Sequence, residues 1–157
     1  MVTASNQPID TSDREIAATR VFDAPRELVW DAFTKPEHIA QWFGPRGFTN
    51  TIHAMDVRTG GRWTFTMHGP DGVDYPNEVD YVEVVRPERL VYVHGPVPRF
   101  DVTVTFAEED QRTRLTMRSV FASAAVRQQV IDERGALDGM NQTLDRLAEF
   151  LAGGVQS

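Results

Sequence analysis

Residues 30–45, WDAFTKPEHIAQWFGP, place two tryptophans and two phenylalanines directly after the first predicted strand. Apolar positions recur there at helical spacing, and Pro36 suits the first turn of a second short helix. Gly44 and Pro45 then end that helix. Four aromatic rings on two short helices, beside a predicted antiparallel sheet, are the clearest pointer to an enclosed cavity for an apolar ligand.

Strands are predicted on both sides of this stretch. Residues 15–23 alternate in polarity, and Asp23 then offers an oxygen that caps the first helix. After Gly47 the helical period gives way to alternation, with turn residues between the segments. Six further strands are predicted over residues 48–58, 62–68, 73–85, 90–94, 100–108 and 113–121. Pro76 requires an edge position or a bulge, because proline cannot donate to a strand ladder.

The last third of the chain predicts one long helix. Ser123 is its expected cap, and apolar residues then repeat at spacings of three and four. These residues are Leu137, Met140, Leu144, Leu147 and Leu151. Gly135 and Gly139 lie one turn apart near its start, which indicates a kink or a close approach to a bulky neighbour.

Length and composition limit the classes of protein that fit. A chain of 157 residues predicts a single domain, assigned to residues 14–153 after a disordered or extended segment over 1–13. The net charge of -7 disfavours nucleic acid and acidic membrane surfaces as partners. A polar start and the lack of long apolar runs predict a cytoplasmic protein without membrane insertion, and they leave a homodimer open.

Metal and nucleophile chemistry find little support in the residues. The absence of cysteine removes disulfides, thiolate nucleophiles and thiolate metal sites, and no histidine pair has metal-ligand spacing. His38 and His68 are expected to face solvent, whereas the direction of His53 and His94 is left open. We assign no catalytic residue, no metal and no cofactor.

Several motifs, in this order, resemble one known family. They are TRVFDAP (19–25), VWDAFT (29–34), WFGP (42–45), DVRTGG (56–61), HGPDG (68–72), PERL (87–90) and NQTLDRLA (141–148). The resemblance is to the activator of Hsp90 ATPase homologue 1-like branch of the START-like, or SRPBCC, superfamily, and it spans about residues 15–152. It implies an α+β helix-grip (Bet v 1-like) fold: a curved antiparallel sheet of six or seven strands around a long C-terminal helix, with two short helices after the first strand. It also implies a deep cavity between sheet and helix.

The leading functional prediction is binding of an apolar or aromatic small molecule, lipid-like or polyketide-like, in that cavity. The predicted ligand contacts are Trp42, Phe43, Trp63, Phe65, Met67, Tyr75, Tyr81, His94, Phe100, Met117 and Met140. The competing interpretation is that these side chains simply fill a core, as aromatic residues and methionines usually do.

Two other classes of function stay open at this point. An enzyme of the polyketide cyclase or hydratase type would use His53 or His94, or the carboxylates of Asp74, Glu78 and Asp80, as general base in the same cavity. Those three carboxylates equally suit a solvated strand face. A stress- or chaperone-associated protein would instead expose an apolar patch.

Overall fold

The computed structural model describes residues 12–96 and 99–153. Eleven helices and strands follow a single-turn 3-10 helix at Ser12–Arg14. They are β1 (Glu15–Phe22), α1 (Arg26–Thr34), α2 (Pro36–Ile39), β2 (Thr49–Met55), β3 (Arg62–His68), β4 (Asp74–Val85), β5 (Arg89–Gly95), β6 (Phe100–Glu109), β7 (Arg112–Val120), α3 (Ala124–Arg134) and α4 (Ala136–Ala152). Most of the segment predicted to be disordered or extended, residues 1–11, lies outside the described part of the chain.

The strands form one curved antiparallel sheet in the order β1-β7-β6-β5-β4-β3-β2. The chain therefore enters at one edge, crosses to the other with α1 and α2, and returns strand by strand. Interruptions of the register between Ile52 and Ala54 and between Tyr81 and Glu83 increase the local twist. The predicted helix-grip architecture and all seven predicted strands are confirmed.

Pro76 lies where its lack of an N–H group costs no ladder bond. On one side it pairs with Thr66 of β3, but pairing with β5 begins only at Glu78, opposite Gly95. This part of β4 is therefore locally an edge, as predicted, although β4 itself is an inner strand. The bulge of β4 lies farther along, at Val82.

The C-terminal segment consists of two helices, so the prediction of one continuous helix is wrong. Gly135, at a φ of 61°, ends α3 and begins α4, because glycine adopts this left-handed conformation without steric cost. The predicted cap is confirmed, since the Ser123 hydroxyl oxygen accepts a hydrogen bond of 3.1 Å from the backbone N–H of Val126. α4 has 17 residues, a length of about 26 Å. Leu137 is 44 % exposed and does not belong to its buried face, contrary to the prediction.

The predicted cap of α1 is also wrong. Pro25, and not Asp23, is at the N-cap position, and no side chain caps the helix. The carbonyl oxygen of Pro25 instead accepts bonds from the N–H groups of Leu28 and Val29. None of the helices in residues 12–96 and 99–153 has the length and apolar character needed to cross a membrane.

Apolar side chains on the concave side of the sheet form two clusters. The large one lies under α1 and α2, where Trp30 contacts Phe106 edge-on at a ring-centre distance of 5.3 Å. The small one contains Ile16, Phe121 and Val130 and lies under α3. Phe100 and Met140 pack against both clusters, and the candidate site lies between them.

Candidate functional site

A cavity of about 160 Å³ lies between the concave face of the sheet and α4. We call it the inner chamber. Its lining consists of Ile16, Phe43, His94, Phe100, Val102, Met117, Ser119, Phe121, Ala136, Met140 and Thr143. Inward positions of β1, β5, β6 and β7 supply the floor, and one face of α4 supplies the roof.

The inner chamber exists because small side chains meet where large ones would close the gap. Ala136 and Thr143 are on the helix face that covers the chamber, and Ser119 lies on β7 between the inward-facing Met117 and Phe121. Ser119 and Thr143 are 5 % and 8 % exposed, so they lie within the protein and yet fill little volume. The larger side chains around them keep the helix away from the sheet, so the space beside these small residues stays unfilled.

A second cavity of about 400 Å³, the outer chamber, adjoins the first. The two chambers share His94, Phe100, Phe121 and Ala136. The remaining lining of the outer chamber is Tyr75, Pro76, Asn77, Gly95, Pro96, Val130 and Arg134. Arg134 and Tyr75 are exposed, so the outer chamber leads from the surface toward the inner one.

His94 lies at the boundary between the chambers. Its ring stacks on Phe100 at 4.9 Å and is within 6.0 Å of the ring of Phe65. Its Nε2 atom lies 2.8 Å from Oδ1 of Asn77. Burial lowers the pKa of His94 to about 4, so the imidazole is neutral at pH 7. The open question of its direction is therefore answered: His94 faces inward, with an amide and not a carboxylate as its partner.

The other three histidines lie away from both chambers. His38 was expected to face solvent, but it is 4 % exposed and packs against Phe150 of α4, so that prediction is wrong. His53 lies on the outer face of the sheet, where Nε2 is 2.8 Å from the hydroxyl of Thr66. His68 lies on the same outer face, as predicted, within 2.7 Å of the Asp74 carboxylate.

The carboxylates of β4 belong to the solvated side of the sheet and do not meet in a pocket. Asp74 pairs with His68. Arg62 pairs with Asp80 at 2.8 Å and with Glu78 at 3.7 Å. The hydrogen bond from Arg62 holds the pKa of Asp80 below its usual value. The hypothesis that this group supplies a general base inside the cavity is therefore wrong, and the solvated-face interpretation is confirmed.

The predicted ligand contacts fall into three groups. Phe43, His94, Phe100, Met117 and Met140 line the inner chamber. Tyr75 lines the outer chamber, and it also lines, with Met67, a neighbouring cleft of about 520 Å³ beside Arg134. Trp42, Trp63, Phe65 and Tyr81 line none of these three spaces.

Those four side chains are packed into the core. Trp42 donates from Nε1 to the carbonyl oxygen of Ala32 at 3.0 Å. Trp63 stacks on Phe65 at 4.1 Å. Burial raises the pKa of Tyr81 far above its usual value. For these residues the structure favours the interpretation that large apolar side chains simply fill a core.

The predicted contacts omit the small residues that create the inner chamber. Ala136 and Thr143 are absent from them, although they share a helical face with Met140 at spacings of four and three. Ser119 is also absent, although alternation places it on the same face as Met117. Their spacing from Met140 and Met117 is the signal that could have identified these residues. They were not predicted because large apolar side chains were favoured as ligand contacts.

Arg146 ties the wall of the inner chamber to its roof. From α4, its guanidinium donates to the carbonyl oxygens of Gly44, Pro45 and Gln41 at 3.0 to 3.2 Å. These carbonyls flank Phe43, which lines the chamber. Three bonds from one side chain hold the segment after α2 against α4, so this part of the wall is built into the fold.

Comparisons with known proteins agree with the architecture. A family model described as "Activator of Hsp90 ATPase homolog 1-like protein" matches residues 23–152. A crystal structure of a Mycobacterium smegmatis protein shares 28 % identity, covering 93 % of this chain and 96 % of that one at a TM-score of 0.84. A solution structure of a Staphylococcus epidermidis protein shares 28 % identity, covering 96 % and 97 % at a TM-score of 0.79.

A third structure, of an Arthrobacter aurescens protein, shares the fold at 23 % identity. It covers 98 % of this chain and 95 % of that one, with a TM-score of 0.84. No curated protein matches the chain.

Proposed function

The chain belongs to the activator of Hsp90 ATPase homologue 1-like family, and we propose that it binds an apolar or aromatic small molecule in the inner and outer chambers. Membership of this START-like family indicates a ligand-binding domain. The kind of ligand is our proposal, and it follows from the walls of the chambers and not from the names of the relatives.

One observation supports the proposal most strongly: the inner chamber is a nearly apolar void of benzene size. A cavity of about 150 Å³ with apolar walls, engineered into another protein, stays dry and binds benzene. The inner chamber, at about 160 Å³, is as large, and most of its lining side chains are apolar. A ligand that enters it makes dispersion contacts that the empty wall lacks.

The outer chamber extends the space available to a longer ligand. At about 400 Å³ it lies within the range of roughly 300 to 1,000 Å³ typical of small-molecule pockets. A molecule with a ring in the inner chamber and a tail through the outer one therefore matches the two volumes.

Methionine-methyl NMR with toluene as the probe tests the proposal. Met117 and Met140 line the inner chamber, whereas Met55 lies on β2 outside both chambers and is an internal control. We expect toluene to shift the Met117 and Met140 signals in a saturable way and to leave Met55 in place. Uniform or non-saturable shifts would contradict the proposal. Native mass spectrometry of freshly purified protein then identifies any ligand that is retained.

An enzyme acting in the same cavity is the second candidate function. The inward-facing His94 is the observation that favours it, since a neutral imidazole can accept a proton. Its partner Asn77 orients the ring but brings no charge to stabilise an imidazolium, and burial further disfavours that form. Binding is therefore the function that the geometry supports best.

A stress- or chaperone-associated role stays a prediction of the sequence. The large apolar residues that are exposed in the described ranges are Val21, Val73, Tyr75, Val82 and Leu137. They are distributed over β1, β4, α4 and a turn, and they do not indicate a docking surface.

A further inference from the structure

A chain of hydrogen bonds determines which nitrogen of His94 carries its proton. The backbone carbonyl of Tyr75 can only accept, and it lies 2.9 Å from Nδ2 of Asn77. This bond fixes the orientation of the Asn77 amide, because the opposite orientation would place two oxygens against each other. Oδ1 of Asn77 therefore faces Nε2 of His94, at 2.8 Å. Since this oxygen can only accept, Nε2 of His94 is the protonated nitrogen.

Nδ1 of His94 is consequently a free hydrogen-bond acceptor. The ring is neutral at pH 7, so a proton on Nε2 leaves a lone pair on Nδ1. Nδ1 bonds to no side chain or backbone group in residues 12–96 and 99–153, and it is not among the fully buried side-chain atoms of that part of the chain that lack a partner, so it reaches accessible space. Because His94 projects from an inner strand into the space between sheet and helices, the chambers are the space that Nδ1 can reach.

We propose that the ligand is an aromatic compound that carries a hydrogen-bond donor, a phenolic hydroxyl or an azole N–H, and that it donates this bond to Nδ1 of His94 while its ring occupies the inner chamber. This inference rests on the proposed function, because it identifies the class of ligand at the same site. An acceptor at the boundary of an otherwise apolar chamber orients a ligand with a single polar contact, as ligand pockets commonly do.

The charge around the site narrows the class further. Arg134 is the charged residue among those that line the outer chamber. Asp74, Glu78 and Asp80 of the neighbouring strand pair with His68 and Arg62 on the opposite face of the sheet. Among the residues that the structure describes, no carboxylate lines either chamber, and the one charged side chain there is cationic, so the ligand is neutral or bears a negative charge on the part that extends toward Arg134.

Three probes that share the toluene skeleton separate the contributions to binding. Toluene has no polar group, p-cresol adds a donor, and 4-methylanisole adds an acceptor without a donor. We expect p-cresol to bind about tenfold more tightly than 4-methylanisole, because only p-cresol can bond to Nδ1. The shifts of Met117 and Met140 give the dissociation constants. Equal affinities of p-cresol and 4-methylanisole would overturn the inference while binding of toluene upholds the proposed function.

Two variants link that preference to His94. His94→Phe keeps an aromatic ring against Phe100 and removes Nδ1, so p-cresol is expected to bind more weakly than toluene, since its hydroxyl then lacks a partner. Asn77→Asp brings a carboxylate to Nε2 and favours the imidazolium, whose Nδ1 donates, so the advantage of p-cresol over 4-methylanisole is expected to disappear. Toluene binding shows that each variant retains its fold. The inference would be contradicted if p-cresol still bound more tightly than toluene to His94→Phe, or still bound more tightly than 4-methylanisole to Asn77→Asp.

The protonation of His94 can be observed without any ligand. Ring ¹⁵N NMR at pH 7 is expected to show a protonated Nε2 and an unprotonated Nδ1 for His94. A proton on Nδ1 would overturn the inference whatever the probes do. Failure of toluene and p-cresol alike to shift the Met117 and Met140 signals would remove the proposed function, and this inference with it.

Discussion

The two ends of the concave face are both rich in aromatic side chains, but these side chains are closely packed at one end and border cavities at the other. Under α1 and α2, Phe33 contacts Trp42 at 4.9 Å and Phe106 at 5.3 Å, and Trp30 contacts Phe106 at 5.3 Å, all edge-on. We call this the packed end. Under α3 and the start of α4, Phe100 and Phe121 are 4.9 Å apart and yet border two cavities. We call this the hollow end.

The difference lies in the elements that cover each end. α1 and α2 insert large rings between the side chains of the sheet, so the rings interlock. α4 presents Ala136 and Thr143 to the hollow end, opposite Ser119, and the break at Gly135 interrupts the cover. An abundance of aromatic residues therefore does not locate a ligand site in this fold. The size of the side chains that face the aromatic residues does.

The largest expected effect is at the packed end. Trp42→Ala removes a side chain that is 1 % exposed and its hydrogen bond to Ala32, and it leaves a cavity. We expect a loss of about 3 to 5 kcal/mol in the free energy of unfolding, measured by urea denaturation. At the hollow end, Phe100→Ala also removes an aromatic ring, and it is expected to cost less, because that ring already borders two voids. Equal losses would remove the distinction between the two ends.

Filling the hollow end is expected to weaken binding. Ala136 lines both chambers, so Ala136→Phe places a ring in the space that a ligand would occupy. We expect toluene to bind at least about tenfold more weakly, which corresponds to about 1.4 kcal/mol. Ala17→Phe, on the exposed face of β1, adds the same ring elsewhere and is the control. Undiminished binding in Ala136→Phe would mean that toluene binds outside the chambers.

Acid is expected to destabilise the protein because His94, at the hollow end, is buried in its neutral form. The pKa of His94 is about 4 in the folded protein and 6.5 for an ordinary histidine, so between these values the unfolded chain binds a proton that the folded chain does not. The free energy of unfolding therefore falls as the pH drops from 6.5 toward 4, by on the order of 1 to 3 kcal/mol. Urea denaturation of the unmodified protein and of His94→Phe across this pH range isolates the contribution of His94. The prediction would be contradicted if the free energy of unfolding had the same pH dependence in both proteins.

The smallest expected effect is at Gly135, where α3 ends and α4 begins. At Gly135, where φ is 61°, a Cβ atom would meet no other atom within 4 Å, so Gly135→Ala costs only backbone strain, about 1 kcal/mol. Gly72→Ala, at a φ of 84° and with equal space, is the control. We expect similar losses of stability but a change in toluene affinity only for Gly135→Ala, because Arg134 and Ala136 flank that glycine. A change in toluene affinity in both variants would show that the helix break at Gly135 has no specific effect on the site.

Local patterns in the sequence predicted most of the fold. Alternation and turn residues located all seven strands, since both act over a few neighbouring residues. Predictions failed where distant residues decide the outcome. His38 has a surface-like sequence context, but Phe150, more than a hundred residues later, covers it. Gly135 within a helical pattern was compatible with a kink or a full stop, and only the packing of α3 against the sheet selects the stop.

The candidate site was predicted in part. Phe43, Phe100, Met117 and Met140, predicted as ligand contacts, line the inner chamber, because parity and helical spacing determine which face a side chain occupies. The same rules also selected Trp42, Trp63 and Phe65, which point inward as well but pack at the other end. The sequence thus predicts which side chains face the interior, but it does not predict which of them border a cavity.

Sequence patterns alone specify the order of the elements, the inward face of most strands and the family. Each of these depends on periodicity or on motifs that neighbouring residues carry. Long-range packing brings Ser119 opposite Ala136 and Thr143 and turns a free nitrogen of His94 toward the resulting space. A void is the difference between the volume that the backbone encloses and the volume that side chains from five separate elements fill, and no local pattern encodes that difference.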